Sequence, residues 1–293
     1  MSDYKEIIYI NPLTDFGFKY IFGRYADKEF TLSFLNALIG GETSITDVKF
    51  LDKEKKGATK DDRALIYDLH CELADGRKII VEMQNRYQTH FDDRALYYLA
   101  ADIYAQGEKG DGWDYSLTPV YGVFLMNFKW HDASEQHLRE DVCLYNMHTK
   151  RIFSDKMAMT FLKIPMMVKD AEECKSTLER WLYILKNMEK MERIPQTFMQ
   201  DPVFRRLEKV ARYAALTKED QREYQASLKA YRDNYAIMQT ERAEGRAEGR
   251  AEGRAEERKE SIRMMLSFGI PAESIAAKYG ISLEDVMRSS AER

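Results

Sequence analysis

The chain has 293 residues, of which 44% are hydrophobic, and its 45 basic and 49 acidic side chains leave a formal net charge of −4. This length suits one or two domains with a sizeable core, and the acidic balance excludes a protein that coats nucleic acid by charge alone. No stretch approaches the roughly 18 apolar residues of a membrane span, and three scattered cysteines exclude a zinc or disulfide framework and predict a reducing, cytoplasmic location.

Two helices and a strand are predicted before residue 52. Thr14 is a suitable N-cap for a helix over 15–22, in which an acid in the first turn is favoured by the helix dipole. Asp27 precedes a second helix over 28–39 with an apolar stripe. Residues 44–51 alternate weakly between apolar and polar side chains and predict the first strand.

The stretch 63–87, RALIYDLHCELADGRKIIVEMQNRY, predicts a β-hairpin. Apolar and polar residues alternate on both sides of the turn signal Ala74-Asp75-Gly76, which is the pattern of two paired strands. In the first strand one face is predicted to consist of Leu65, Tyr67, Leu69, Cys71 and Leu73. The opposite face carries Asp68, and the second strand carries Glu82 and Gln84 on one face.

The length of the turn decides whether the acids of the two strands meet. A two-residue turn would place Asp68 opposite Met83, whereas a three-residue loop with Gly76 in a left-handed conformation places Asp68 opposite Glu82. We predict the three-residue loop. Carboxylates opposed at roughly 5 Å between Cβ atoms repel each other unless a cation lies between them, and oxygen ligands suit Mg²⁺ or Mn²⁺. The alternative is a plain hairpin with one hydrated face. His70, on the same face as Asp68, is expected to be a hydrogen-bonded sheet residue, and the alternative is a place beside the metal pocket.

A helix and a buried strand are predicted after the hairpin. The helix begins after 89–92, ends near Gly107 and presents Arg94 and Tyr98 at helical spacing. Residues 119–128 are apolar on both faces, which is typical of a central strand. A right-handed crossover would make this strand parallel to the one that carries Glu82.

The second half of the chain is predicted to be mainly helical. After a strand over 157–164, amphipathic patterns predict helices over 172–191, 203–215 and 218–238. Four units, RAEG-RAEG-RAEG-RAEE, begin at Arg242. Their glycines cost roughly 1 kcal/mol each in a helix, which favours a frayed, solvated connector. The alternative is close pairing of Ala/Gly rows between two protomers, and the last forty residues predict short helices similar to a helix-turn-helix.

Several segments together resemble one family. These segments are TDFGFKYIFG, LSFLNALIG, YDLHCELADGRKIIVEMQ, DDRALYYLAADIYAQG and RAEGRAEGRAEGRAEE. They resemble, in matching order over nearly the whole chain, the Rpn-type recombination-promoting nucleases, transposase-like members of the PD-(D/E)XK superfamily. The resemblance implies an α/β restriction-endonuclease-like core, with a mixed sheet and flanking helices, that cleaves DNA with Mg²⁺.

The resemblance also implies roles for particular residues. Asp68 and Glu82 take the metal-binding acidic positions, and Gln84 completes the catalytic set at the position where the wider superfamily has Lys. A neutral amide can orient water but cannot act as a cation or a base. Supporting roles are implied for Asp15 on the first helix, and for Arg94 and Tyr98.

The expected organisation has four parts. They are a PD-(D/E)XK nuclease-like core (1–168), a helical extension (169–238), a helical or flexible RAEG-repeat connector (239–260) and a small helical, helix-turn-helix-like unit (261–293). The expected function is a Mg²⁺- or Mn²⁺-dependent DNA endonuclease linked to recombination or mobile elements, without membrane contact and with the C-terminal helices as a candidate homo-oligomer interface. The alternative is a catalytically weak DNA-binding or oligomerising protein on the same scaffold.

Overall fold

A computed structural model describes residues 7–23, 27–39, 44–51, 54–55, 65–108, 112–128 and 137–291. The helices are α1 (Asp15–Phe22), α2 (Lys28–Ile39), α3 (Phe91–Tyr104), α4 (Thr177–Asn187), α5 (Pro202–Val210), α6 (Lys218–Ser267), α7 (Ala272–Tyr279) and α8 (Leu283–Ala291). The strands are β1 (Val48–Phe50), β2 (Glu54–Lys55), β3 (Leu65–Ile66), β4 (Leu69–Leu73), β5 (Lys78–Gln84), β6 (Val120–Met126), β7 (Arg139–Asn146) and β8 (Arg151–Lys163).

The main sheet has six strands in the order β1-β4-β5-β6-β8-β7 and is mixed, as predicted. β5, β6 and β8 are parallel to one another, and the other neighbouring pairs are antiparallel. The predicted parallel pairing of the buried strand with the strand that carries Glu82 is therefore confirmed. β2 and β3 form a separate two-stranded pair.

The hairpin between β4 and β5 has the predicted three-residue loop. Gly76 has φ +86°, and Leu69 lies opposite Val81 while Glu72 lies opposite Lys78. The same register, continued to the residue before β4, sets Asp68 against Glu82.

One part of the hairpin prediction is wrong. Asp68 does not lie within a strand, because the chain leaves β3 after Ile66 and enters β4 at Leu69. Tyr67 packs in the apolar cluster that includes Ile80, whereas Leu69 packs in the cluster on the other side of the sheet. The alternation therefore breaks at Asp68, and the predicted common face of Tyr67 and Leu69 does not exist.

Apolar clusters cover both faces of the sheet, which explains why central strands are apolar on both sides. On one face α1, α2, α4 and α5 pack against residues such as Val81 and Leu125. On the other face α3 packs against Ile80 and Phe124. α3 thus lies directly over the face that carries Glu82.

The helical extension shares the larger cluster. The Trp181 ring lies 5.2 Å from that of Phe22 and 6.3 Å from that of Phe34, measured between ring centroids. The predicted helix over 172–191 is shorter than expected, since Ser176 caps α4 through a capping box. Residues Met1–Arg232 form one compact unit.

The strand β7 was not predicted, and β8 begins six residues before the predicted strand over 157–164. Most of β7 and the first half of β8 are exposed on both faces. Such strands lack the apolar alternation by which a half-buried strand is recognised.

The second compact unit spans Asp233–Arg293. The RAEG repeat is helical, as part of α6, whereas its glycines favoured a frayed connector. The end of α6 packs with α7 and α8 around Ile262, Ile275 and Val286. Within the described part of the chain, no helix has both the length and the apolar character needed to cross a membrane.

Candidate active site

Two hydrogen bonds hold the Asp68 and Glu82 side chains beside each other. The Asp68 N–H donates to Glu82 Oε1 at 3.2 Å, and the N–H of Met83, the residue after Glu82, donates to Asp68 Oδ2 at 2.8 Å. Asp68 lies in the break between β3 and β4, so its N–H can reach a side chain of β5. The two acids that the register predicted to meet therefore do meet.

Burial and charge both disfavour ionisation of Glu82, whose side chain is only 5% exposed. Burial, and then the Asp68 carboxylate, raise the pKa of Glu82 to about 8, against smaller lowering effects from the Asp68 N–H, Arg94 and Gln84. At neutral pH Glu82 therefore tends to keep its proton unless a cation compensates for its charge.

Gln84 ends β5 on the same face as Glu82. Its Nε2 lies 3.5 Å from Glu82 Oε2, at the outer limit of a hydrogen bond. The amide is thus beside the acidic pair and is only loosely held, so that it can also reach a small polar ligand there.

Arg94 projects from α3 toward the same carboxyl. Its Nη2 lies 3.6 Å from Glu82 Oε2, while Nη1 donates to Gln88 Oε1 at 2.7 Å. The Arg94 guanidinium carbon lies 5.4 Å from the centroid of the Tyr98 ring. Arg94 and Tyr98, both singled out in the sequence, are therefore part of the site, with Tyr98 beneath the cation.

A buried polar group behind the site was missed in the sequence. His70 Nε2 lies 2.7 Å from Asp102 Oδ2, and Asp102 is fully buried. The Tyr67 ring packs against His70 at a tilt of 55°, with 4.9 Å between the ring centroids, and burial followed by the Asp102 charge raises the pKa of Tyr67. The available signal was an acid within the apolar stripe of α3, and the expectation that His70 is a hydrogen-bonded sheet residue is confirmed.

Asp15 is not brought to the acidic pair by any contact among the described residues. Its carboxylate, 64% exposed, pairs with Lys19 at 2.5 Å, one turn along α1. One link between this region and the residue after β5 is a hydrogen bond in which Asn85 Nδ2 donates to the Leu13 carbonyl at 2.6 Å. Asp15 thus follows the ordinary preference of acids for a helix N-terminus.

Asp68 and Glu82 fit a hard divalent cation by the chemistry of their donors. Both are carboxylates, and their mutual repulsion in a buried place is relieved by positive charge. Across the described residues, no group of three or more His, Cys, Asp or Glu side chains is arranged to hold a metal ion. An ion at this pair would therefore take its remaining ligands from water and from substrate oxygens, as Mg²⁺ commonly does.

Comparison with known proteins gives one match. A family model described as PD-(D/E)XK nuclease family transposase matches residues 12–241, which include every site residue named above. No curated protein and no solved structure matches the chain significantly.

Proposed function

The chain belongs to the PD-(D/E)XK nuclease family transposases, and from this premise we propose that it is a divalent-metal-dependent DNA endonuclease. One observation carries the proposal: the Asp68 N–H donates to the Glu82 carboxyl, the Met83 N–H donates to the Asp68 carboxylate, and the pKa of Glu82 is raised to about 8 by burial and the Asp68 charge. Such a pair favours a bound cation, because positive charge relieves the repulsion between the two carboxylates. We further propose a cytoplasmic role in recombination or element mobility.

In this proposal Asp68 and Glu82 hold Mg²⁺ or Mn²⁺. The ion, when bound, would lower the pKa of a water molecule and shield the phosphate charge. Glu82 releases its proton as it becomes a ligand. The Asp68 carboxylate stays aligned because the Met83 N–H holds one of its oxygens.

The remaining residues orient the attacking water and neutralise charge on the phosphate. Gln84 positions the attacking water through its amide, which can donate and accept hydrogen bonds but cannot take up a proton at neutral pH. Arg94 turns its fork from Glu82 to a phosphate oxygen pair of the substrate. The Tyr98 ring supports that guanidinium from below, and Asp15 remains a supporting acid by resemblance alone.

The test is nicking of supercoiled plasmid DNA by the purified protein. We expect cleavage with Mg²⁺ or Mn²⁺ and none with EDTA. Asp68→Asn and Glu82→Gln, which preserve shape and remove a charged ligand, should each lower the rate roughly 100-fold or more.

Glu72→Gln is the matched control, because Glu72 lies on the same hairpin at the opposite end of β4 from the site. It should retain the wild-type rate. Cleavage that survives both site substitutions would refute the proposal and identify a contaminating nuclease.

A second candidate is a DNA-binding or oligomerising protein with weak chemistry on this scaffold. The observation that favours it is Gln84, since no lysine ammonium stands beside the acidic pair on β5. Retention of DNA in a filter assay at moderate salt, without any nicking by wild type, would support this candidate.

A further inference from the structure

β7 and β8 form a two-stranded ribbon that extends beyond the rest of the sheet. β6 pairs with β8 only from Met157 onward, so that residues 144–156 have no third strand beside them among the described residues. Residues 142–154, which include most of this extension, are called the ribbon here. The pairing of β7 with β8 shifts register after Cys143. Such a bulge increases twist and turns the ribbon away from the plane of the sheet.

The turn of the ribbon is well organised. Asn146 pairs with Arg151, and its Oδ1 accepts hydrogen bonds from the His148 and Thr149 N–H groups at 3.0 and 2.9 Å. The Lys150 N–H donates to the Asn146 carbonyl at 3.0 Å. The ribbon is therefore a preorganised element, for which binding carries a small ordering cost.

The ribbon exposes large apolar side chains on both faces. Tyr145 lies opposite Ile152 and shares its face, while Phe153 points to the other face. The exposed members are Val142 (43%), Leu144 (44%), Tyr145 (47%), Met147 (70%), Ile152 (64%) and Phe153 (74%). With about 150–250 Å² for a large side chain, these fractions amount to roughly 600 Å² of apolar surface over the two faces together.

That area is close to what one partner contributes to a stable protein interface, about 800 Å². β7 is also the last strand of the sheet, so its outer edge presents backbone N–H and C=O groups to a further strand. Two copies of one strand can meet antiparallel about a two-fold axis with every contact made twice.

The charges along β7 do not oppose such a meeting. Arg139 Nε lies 2.8 Å from Asp141 Oδ2, and Glu140 forms an ion pair with Lys163, so both acids are neutralised within one chain. If two copies meet antiparallel at Cys143, Asp141 lies opposite Tyr145 of the second copy and Glu140 opposite Asn146, so no like charges are directly opposed.

We propose that the ribbon is a homodimer interface, in which the β7 edges of two copies pair antiparallel about a two-fold axis near Cys143. Val142 then lies opposite Leu144 of the second copy, and the exposed apolar side chains of β7 pack across the junction. DNA is a poorer occupant, because a polyanion would leave the apolar side chains largely uncovered while meeting only the tip.

The test is the solution mass of the full-length protein at micromolar concentration, by sedimentation or light scattering. We expect wild type to have twice the mass of one chain. Val142→Glu combined with Leu144→Glu should convert it to a monomer, because these two positions of β7 oppose each other across the two-fold axis and four carboxylates would have to be buried at one junction. Both side chains are exposed, so circular dichroism should show an unchanged fold.

The matched control places two carboxylates at exposed apolar positions outside the ribbon, Tyr104→Glu and Val168→Glu, which are 84% and 80% exposed in wild type. It should remain a dimer. A monomeric wild type, or a dimer that persists in the ribbon variant, would overturn the proposal. So would a ribbon variant of unchanged mass that has lost DNA retention, since it would assign the surface to nucleic acid.

Cys143 tests the arrangement of the edges directly. It is exposed, whereas the other two cysteines are buried, and residues opposed in an antiparallel pair lie at about 5 Å between Cα atoms, within disulfide range. Mild oxidation should therefore trap a covalent dimer in wild type and none in Cys143→Ser. A dimer that cannot be trapped in this way would refute pairing through β7.

Discussion

At the Glu82 carboxyl, burial and the neighbouring Asp68 charge act in the same direction. The folded protein binds the Glu82 proton more tightly than the unfolded chain does, because the pKa rises from 4.5 to about 8. This contribution to the free energy of unfolding is complete below the unfolded value and is lost as pH rises through the folded value. The metal-free protein is therefore less stable above about pH 8 than below about pH 4.5.

We predict that Glu82→Gln is more stable than wild type in EDTA at about pH 9, by an amount on the order of a few kcal/mol, and that the difference nearly vanishes at about pH 5. The amide resembles the protonated acid in shape and charge, so only the ionised state separates the two proteins. Urea unfolding of both at the two pH values measures the difference.

The proton on Glu82 is predicted to be released when a metal ion binds. Calorimetric titration of wild type with Mn²⁺ at neutral pH, in two buffers of different ionisation enthalpy, should show release of close to one proton. Glu82→Gln should take up little Mn²⁺. Equal heats in both buffers, or Mn²⁺ uptake that survives the substitution, would contradict the raised pKa and the ligand role.

At the scale of elements, α3 delivers Arg94, Tyr98 and Asp102 to the site by lying close to the sheet. Gly122 of β6 permits that approach: a Cβ there would lie 2.7 Å from Leu99 Cδ1 and 2.7 Å from the Phe124 ring. α3 and β6 can therefore lie this close together because residue 122 has no Cβ methyl group.

Gly122→Ala should lower the free energy of unfolding by about 1–3 kcal/mol, because Leu99 and Phe124 must leave their packed positions. Thermal or urea unfolding measures the loss. Gly112→Ala is the control, since a Cβ there meets nothing within 4 Å. Equal stability of wild type and Gly122→Ala would mean that α3 is free to shift outward.

At the scale of the whole molecule, the chain comprises the compact units Met1–Arg232 and Asp233–Arg293. Both the proposed active site and the ribbon lie in the first unit. The C-terminal helices, including the RAEG repeat in α6, remain the other proposed oligomer interface. Gly245, Gly249 and Gly253 have open space around their Cα atoms, with no atom within 4 Å of an added Cβ.

Removal of residues 239–293 distinguishes the two interfaces. We predict that the shortened protein keeps the same number of copies per particle as the full chain, since the ribbon is retained. Analytical ultracentrifugation of both proteins is the measurement. A shortened protein that becomes monomeric, beside an oligomeric full chain, would favour pairing through the C-terminal helices.

The sequence by itself determined the features that depend on neighbours along the chain. Period-two alternation and a glycine suited to φ > 0 specified the hairpin loop, and the loop length specified that Asp68 faces Glu82. Caps specified α1 at Thr14, and the apolar run 119–128 specified a central parallel strand.

Only the tertiary structure decided what depends on distant partners. The break at Asp68, the pairing of His70 with Asp102 and the approach of Arg94 to Glu82 each require α3 to lie on the sheet, a contact that no local pattern encodes. The ribbon escaped prediction because strands exposed on both faces carry no alternation. The RAEG repeat is helical although its glycines disfavour a helix, because helix propensities are weak and do not decide a conformation alone.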